Sequence, residues 1–303
     1  MAAPIEQNRS HLFSAEDVRA KNSAARLSIL AAAFLVAIKL ATGWLTGSIS
    51  VWASLLDSAM DIFASTINFI AVRAASRPPD EDHTYGHGKA ESLAGLFQAA
   101  VITISGFFLI REAIRRLVAP RETEMEWLGI ATMLIAAVVS VALVARLRRV
   151  ARATDSPALS ADAVHYASDV YTNSAALLAL LIVALTGWQL ADPLISIAIS
   201  LYIIWSAVGV AREAIDVLMD RKLPVEVDEK IADVVSRYQD QGVLGFHDLR
   251  TRRSGSYKFI DLHLEVKRDR SLEEAHALTV EVLRAIEAEI PRARVQIHTD
   301  PAG

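Results

Sequence analysis

The sequence predicts an α-helical membrane protein, six transmembrane helices followed by a C-terminal cytosolic α+β domain of order α-β-β-α-β. Three observations carry this. Of 303 residues 53% are hydrophobic, giving a mean hydropathy of +0.32, too apolar for an ordinary soluble chain of this size. The apolar residues fall in long blocks near the length a helix needs to cross a bilayer, about 20 residues. After Asp220 the blocks stop and charged, amphipathic segments replace them. The expected domains are a polar tail over 1–24, a membrane domain over 25–220 and a soluble domain over 221–303.

The first twenty or so residues of the tail are mostly polar, end in Lys21 and show no cleavable signal pattern. The first span is Leu27 to Leu45. Lys39 lies inside it, read as snorkelling to the interface, with a counter-charge for nearby carboxylates as the alternative. The second is Val51 to Ile70, VWASLLDSAMDIFASTINFI, and it holds Asp57 and Asp61 at i, i+4, one turn apart on one face. Ser54, Ser58 and Ser65 add a polar strip. A carboxylate at bilayer depth costs several kcal/mol unless it faces a cavity, a partner or an ion. The spans then continue over Leu93–Leu109, Trp127–Val144, Ala161–Leu185 and Pro193–Val210. Six spans put both termini on one side. Arg19, Lys21 and Arg26 in the tail, Arg73, Arg77 and Lys89 after span two, and Arg146, Arg148, Arg149 and Arg152 after span four place that side in the cytoplasm. Arg111, Arg115, Arg116 and Arg121 on the opposite side dilute the asymmetry.

The soluble segment opens with an amphipathic helix, Pro224 to Tyr238, its first turn acidic. Strands are expected over Phe246–Arg252 and Lys258–Val266, joined by RSGS as a hairpin connection. A helix over Leu272–Ile290 and a strand over Arg294–His298 complete the domain.

Seven of the eight histidines fall in three groups with acids. The first is His165 and Asp169, i, i+4 on span five, with Asp57 and Asp61 of span two: four N/O ligands for a divalent cation. The alternative is a carboxylate pair held by a buried Lys or Arg that only joins helices. The second is Asp80, His83 and His87 in PPDEDHTYGHGKAES, either a low-affinity ion site or a solvated loop. The third is His247, His263, His276, His298 and Asp300, with Asp248 and Asp261 near. His298 and Asp300 share a strand face by period two. With no cysteine, thiolate ligands are excluded, and N/O ligands suit Zn, Fe, Mn or Cd better than Cu(I). Ligands that must be deprotonated to bind make metal and protons compete, and His165 is the group suited to titrate near neutrality.

LLDSAMD, DEDHTYGHGKAES, HYASD and HDLRTRRSG…FIDLHLEV…EEAHALT…VQIHTDP together resemble the cation diffusion facilitator family, from about Arg19 to Pro301, with the pattern of its bacterial zinc/iron exporters. The resemblance implies a homodimeric metal/proton antiporter of the inner membrane with a metallochaperone-like cytosolic domain. Zn, Fe(II) or Cd would be carried at Asp57, Asp61, His165 and Asp169. Asp80, His83 and His87 match a loop site. His247, His263, His276, His298 and Asp300 match a binuclear site, bridged by Asp300, that steadies the dimer. Lys89 and Asp220 match a charge interlock. The His-rich loop that some eukaryotic zinc members carry between spans four and five is replaced by RLRRVARATDSP, so the metal is left open. An intramembrane aspartyl protease would need its two Asp on facing helices, and no GxGD-type sequence or nucleophile arrangement is present, so no enzymatic activity is expected. A membrane metal sensor and a passive metal channel remain as alternatives.

Overall fold

The structure, a computed structural model, describes residues 14–46, 49–118 and 127–303. Six long helices come first: α1 (Ala15–Thr46), α2 (Ile49–Ala75), α3 (Lys89–Val118), α4 (Trp127–Thr154), α5 (Pro157–Thr186) and α6 (Ala191–Leu218). Among the described residues, five helices are long and apolar enough to cross a membrane by length and composition alone. α2 carries the acidic pair, and its 27 residues span about 40 Å at 1.5 Å each, more than the hydrocarbon thickness.

All six helices run past the spans expected from hydropathy, because helix continues through polar ends that an apolar window leaves out. The largest difference is at the start. The polar tail expected through residue 24 gives way to helix at Ala15, and Lys21, Ala24 and Ala25 are buried. Hydropathy missed this because Lys21 is packed against Glu91 rather than against water. The bundle core joins Ala24 and Ala25 of α1, Val72 of α2, Ala94 of α3, Leu143 and Leu147 of α4, and Leu159 and Tyr166 of α5. A smaller cluster sets Ile102 of α3 against Ile203 and Ala207 of α6. Gly106 permits that approach: a Cβ there would stand 2.6 Å from Ile204 Cγ1, the use small residues have between membrane helices. Ser156 caps α5, accepting from the Leu159 N–H, with Pro157 next.

Two sequence expectations gain detail here. Lys39 reaches a neighbouring helix: its Nζ lies 2.7 Å from Ser58 Oγ of α2, the second serine of the polar strip. The arginines that dilute the charge asymmetry sit in the last turns of α3 rather than in a loop. There Arg115 and Arg116 pair with Glu112 and Arg116 reaches Asp192 at 3.0 Å. Arg121 lies outside the described residues.

The C-terminal unit, from Asp216 onward, has its own core. It holds α7 (Val225–Ser236), β1 (Val243–Ser254), β2 (Tyr257–Lys267), α8 (Leu272–Glu289) and β3 (Ala293–Ala302), the expected order. The sheet runs β1-β2-β3, the first pair antiparallel and the second parallel. Gly255 closes the hairpin with φ 57°, the positive value that a type II′ turn takes at its first central residue. Ile260, Leu262, Leu264 and Val266 of β2 face Ile231 and Val234 of α7 and Leu278, Val282 and Ile286 of α8. By the two-residue period, Asp261, His263 and Glu265 point from the other face.

Ser271 caps α8 with both halves of a capping box, its hydroxyl and N–H meeting Glu274. The Ser271 N–H, and then its hydroxyl, hold the Glu274 carboxyl below its ordinary pKa. A lowered carboxylate pKa stabilises the fold at neutral pH, and the contribution is lost as pH falls through the lowered value. Ser271→Ala is expected to cost about 1 kcal/mol, read as a lower midpoint in thermal unfolding; an unchanged midpoint would show that the cap is not used.

Candidate metal centres

The most enclosed group lies between α2 and α5. Asp61 Oδ1 is 3.0 Å from His165 Nε2, and one ligand atom from each of Asp61, His165 and Asp169 lies within 4.8 Å of the others. Helical spacing puts His165 and Asp169 on one face of α5, one turn apart, and sets Asp61 opposite. His165 is buried and the two carboxylates are half-buried, so the site is enclosed yet reachable. Two ligand atoms on a tetrahedral ion at about 2.1 Å stand roughly 3.4 Å apart. The Asp61–His165 pair needs to open by only a few tenths of an ångström to match. The other ring nitrogen, His165 Nδ1, is buried with no partner among the described residues, which leaves Nε2 as the donor aimed at the carboxylates. Asp57 lies one turn before Asp61 on α2; its side chain is outside the described residues, as is that of Ser54.

Beside this group runs a buried polar chain that sequence reasoning missed. Ser65 Oγ of α2 lies 2.9 Å from Tyr166 Oη, which donates to the Ser28 carbonyl of α1 at 3.1 Å. Ser28 Oγ donates to Asp162 Oδ2 at 2.6 Å. Tyr166 and Asp162 are fully buried. The signal for Asp162 was available: an acid inside an apolar helix marks a polar neighbourhood by default.

The loop group is built on Asp80. The His83 N–H donates to Asp80 Oδ1 at 2.7 Å, and His83 Nδ1 and His87 Nε2 stand 3.2 and 3.1 Å from its two oxygens. The backbone hydrogen bond from His83, then that of its side chain and the charges of both imidazoles, hold the Asp80 carboxyl below the usual range. His83 and Asp80 are more than half exposed.

The third group spans the sheet. His247 pairs with His263 across β1–β2, and His263 with His298 across β2–β3, so three imidazoles line up on the face away from α7 and α8. Asp300 serves all three: Oδ2 lies 2.8 Å from His263 Nδ1 and 3.2 Å from His247 Nε2, and Oδ1 lies 3.2 Å from His298 Nε2. The hydrogen bond from His263, then the charges of all three imidazoles, lower the Asp300 pKa. A register shift follows His247, with Asp248 at φ 49°. Bulges of this kind re-aim a side chain next to functional sites. Asp248 Oδ2 stands 4.0 Å from His247 Nδ1, and Glu265, which sequence reasoning did not single out, places Oε1 3.7 Å from His247 Nε2. Asp261 lies exposed on β2, and neither it nor His276, exposed on α8, joins this group within the chain. Lys89 opens α3. Asp220 Oδ1 stands 3.3 Å from Arg252 Nη1 in the C-terminal unit.

Fold and site together define a multi-pass membrane protein with N/O clusters suited to divalent cations, one of them inside the helical bundle. Residues 25–219 match the cation efflux transmembrane domain and residues 223–302 the cytoplasmic domain of cation efflux proteins. The cation-efflux pump FieF of Citrobacter koseri is 43% identical over 283 residues, 93% of each chain, and that of Yersinia pestis (strain Pestoides F) 44% over 279 residues, 92% of each. The chain belongs to the cation diffusion facilitator family. Among solved structures, CzrB in its zinc form is 38% identical over 27% of this chain and 92% of its own, with a TM-score of 0.26. The metal-bound C-terminal domain of CzcD from Thermotoga maritima is 29% identical over 25% and 88%, with a TM-score of 0.24.

Proposed function

We propose that this protein exports a divalent metal, Zn(II) or the related Fe(II) or Cd(II), across the inner membrane in exchange for protons, working as a homodimer with both termini cytoplasmic. The observation that carries the reading is the enclosed Asp61–His165–Asp169 group between two membrane helices; Asp57, one turn before Asp61, is proposed as its fourth ligand. A carboxylate pair and an imidazole at that depth are costly unless they bind something positive. A metal ion and protons are the two occupants this donor set accepts, and each expels the other. That competition converts a proton gradient into uphill metal movement. The relatives, cation-efflux pumps by name, agree in kind. A sensor has no use for a ligand group inside the bilayer, and a passive channel has no use for ligands that must lose protons.

The sheet cluster supports a binuclear cytosolic site. The two oxygens of Asp300 address different imidazoles, the disposition of a carboxylate bridging two ions, and the cluster lies in the domain expected to dimerise. The exposed Asp80 group is expected to bind weakly. The double substitution His83→Ala, His87→Ala is expected to remove about one bound metal per chain by elemental analysis while retaining flux; unchanged stoichiometry would reduce the loop to decoration.

The test is flux in proteoliposomes loaded with a zinc-sensitive dye under a set pH difference, with Cd, Fe(II) and Mn as competitors. Uphill metal accumulation that collapses with the pH difference is expected. Flux indifferent to that difference would identify a channel, and metal binding without flux a sensor.

A further inference from the structure

We propose that the groove between the N-terminal half of α1 and the C-terminal end of α2 binds the headgroup of an anionic phospholipid at the membrane surface. The groove holds about 630 Å³, and its polar rim carries Arg19 and Arg26 of α1 and Arg73 of α2. None of the three arginines is paired with a carboxylate among the described residues. Arg19 turns its Nε to the Ala15 carbonyl, and Arg26 lies 5.7 Å over the Phe69 ring. Three guanidiniums on one concave surface repel each other and call for an anion, and a planar guanidinium meets a phosphate with paired N–H donors.

The second half of the argument is the floor. Leu27 and Leu30 line the same groove and are 41% and 65% exposed. Arg19, Ser23, Arg26, Leu27 and Leu30 follow i, i+4, i+7, i+8, i+11, so they share one face of α1. Along that face the chemistry passes from cationic to apolar where the first hydrophobic block begins, the gradient a lipid presents from phosphate to acyl chain. A free phosphate would use the arginines and leave the leucines idle; an anionic lipid uses both. Basic pockets between membrane helices at the headgroup level are suited to such lipids. The proposal requires only that the bundle spans a bilayer, and it stands or falls apart from the metal chemistry.

The experiment uses the full-length protein in detergent, analysed by native mass spectrometry and by thermal unfolding, with phosphatidylglycerol, phosphatidylcholine of matched chains, or inorganic phosphate added. The wild type is expected to retain phosphatidylglycerol over phosphatidylcholine and to melt later with it, and inorganic phosphate is expected to have little effect. Each of Arg19→Gln, Arg26→Gln and Arg73→Gln should weaken retention about fivefold, and the triple variant on the order of a hundredfold. Arg73→Lys retains the charge and should lose less than Arg73→Gln, which guards against a folding artefact. Equal retention of the two lipids, equal retention by wild type and triple variant, or an equal effect of inorganic phosphate would each overturn the proposal.

Discussion

His165→Ala, reconstituted in proteoliposomes, is expected to lose metal flux entirely within detection, and Asp61→Asn to fall nearly as far. The geometry explains the size of the effect. His165 supplies the only imidazole in the bundle group, and its Nε2 is 3.0 Å from Asp61 Oδ1. Substituting a partner that merely orients a metal ligand costs roughly 10–100-fold in affinity, so deleting a ligand in a four-donor set costs more. Asp61→Asn keeps size and shape, but a neutral amide replaces the carboxylate, removing both a charge that offsets the cation and a proton acceptor. Both variants therefore weaken binding as well as flux. Metal affinity read by isothermal titration should fall in both, while secondary structure by circular dichroism stays intact. Normal flux in either variant would remove these side chains from the transport path and leave the buried group as a structural contact between α2 and α5. Asp169→Asn serves as the third point of the series and should behave as Asp61→Asn does.

How far the sequence discloses this protein depends on whether a signal is local. The approach of Asp61 to the pair His165/Asp169 is legible because helix geometry turns i, i+4 into a shared face, and an acid in an apolar run stands out against its surroundings. His263, His298 and Asp300 are legible through strand alternation. What spacing could not give was the register that sets His247 opposite His263 and His263 opposite His298, since strand pairing is fixed by the turn and by the buried face rather than by the histidines. The register shift at Asp248 and the approach of Glu265 were likewise hidden. His276, exposed on α8, stands apart from the other imidazoles within one chain, and helix-to-sheet distances of that kind leave no trace in spacing. The contact of Lys39 with Ser58 on the neighbouring helix was hidden for the same reason, since hydropathy sees one helix at a time. The same blindness to long-range partners cut the first helix short.

That long-range partner sets the largest expected effect on stability. Lys21 Nζ of α1 lies 2.8 Å from Glu91 Oε1 of α3, with side chains only 4% and 1% exposed. The second oxygen, Glu91 Oε2, takes a short hydrogen bond from Ser156, the residue that caps α5. One carboxylate thus ties α1 and α3 to the α4–α5 corner. Taking two charges out of water is expensive, and the pair recovers the cost only while both members are present. Lys21→Met leaves Glu91 buried with a single hydroxyl for company, and is expected to destabilise the bundle by about 3–5 kcal/mol. Adding Glu91→Gln on top should restore most of the stability, because an amide retains the Ser156 contact without an uncompensated charge. The single effects are then strongly non-additive, the mark of a direct interaction. Denaturant unfolding of the four proteins of this cycle in one detergent measures it. If Lys21→Met alone cost less than about 1 kcal/mol, typical of exposed pairs, the two charges would have to be solvated, and α1 would begin as a tail after all.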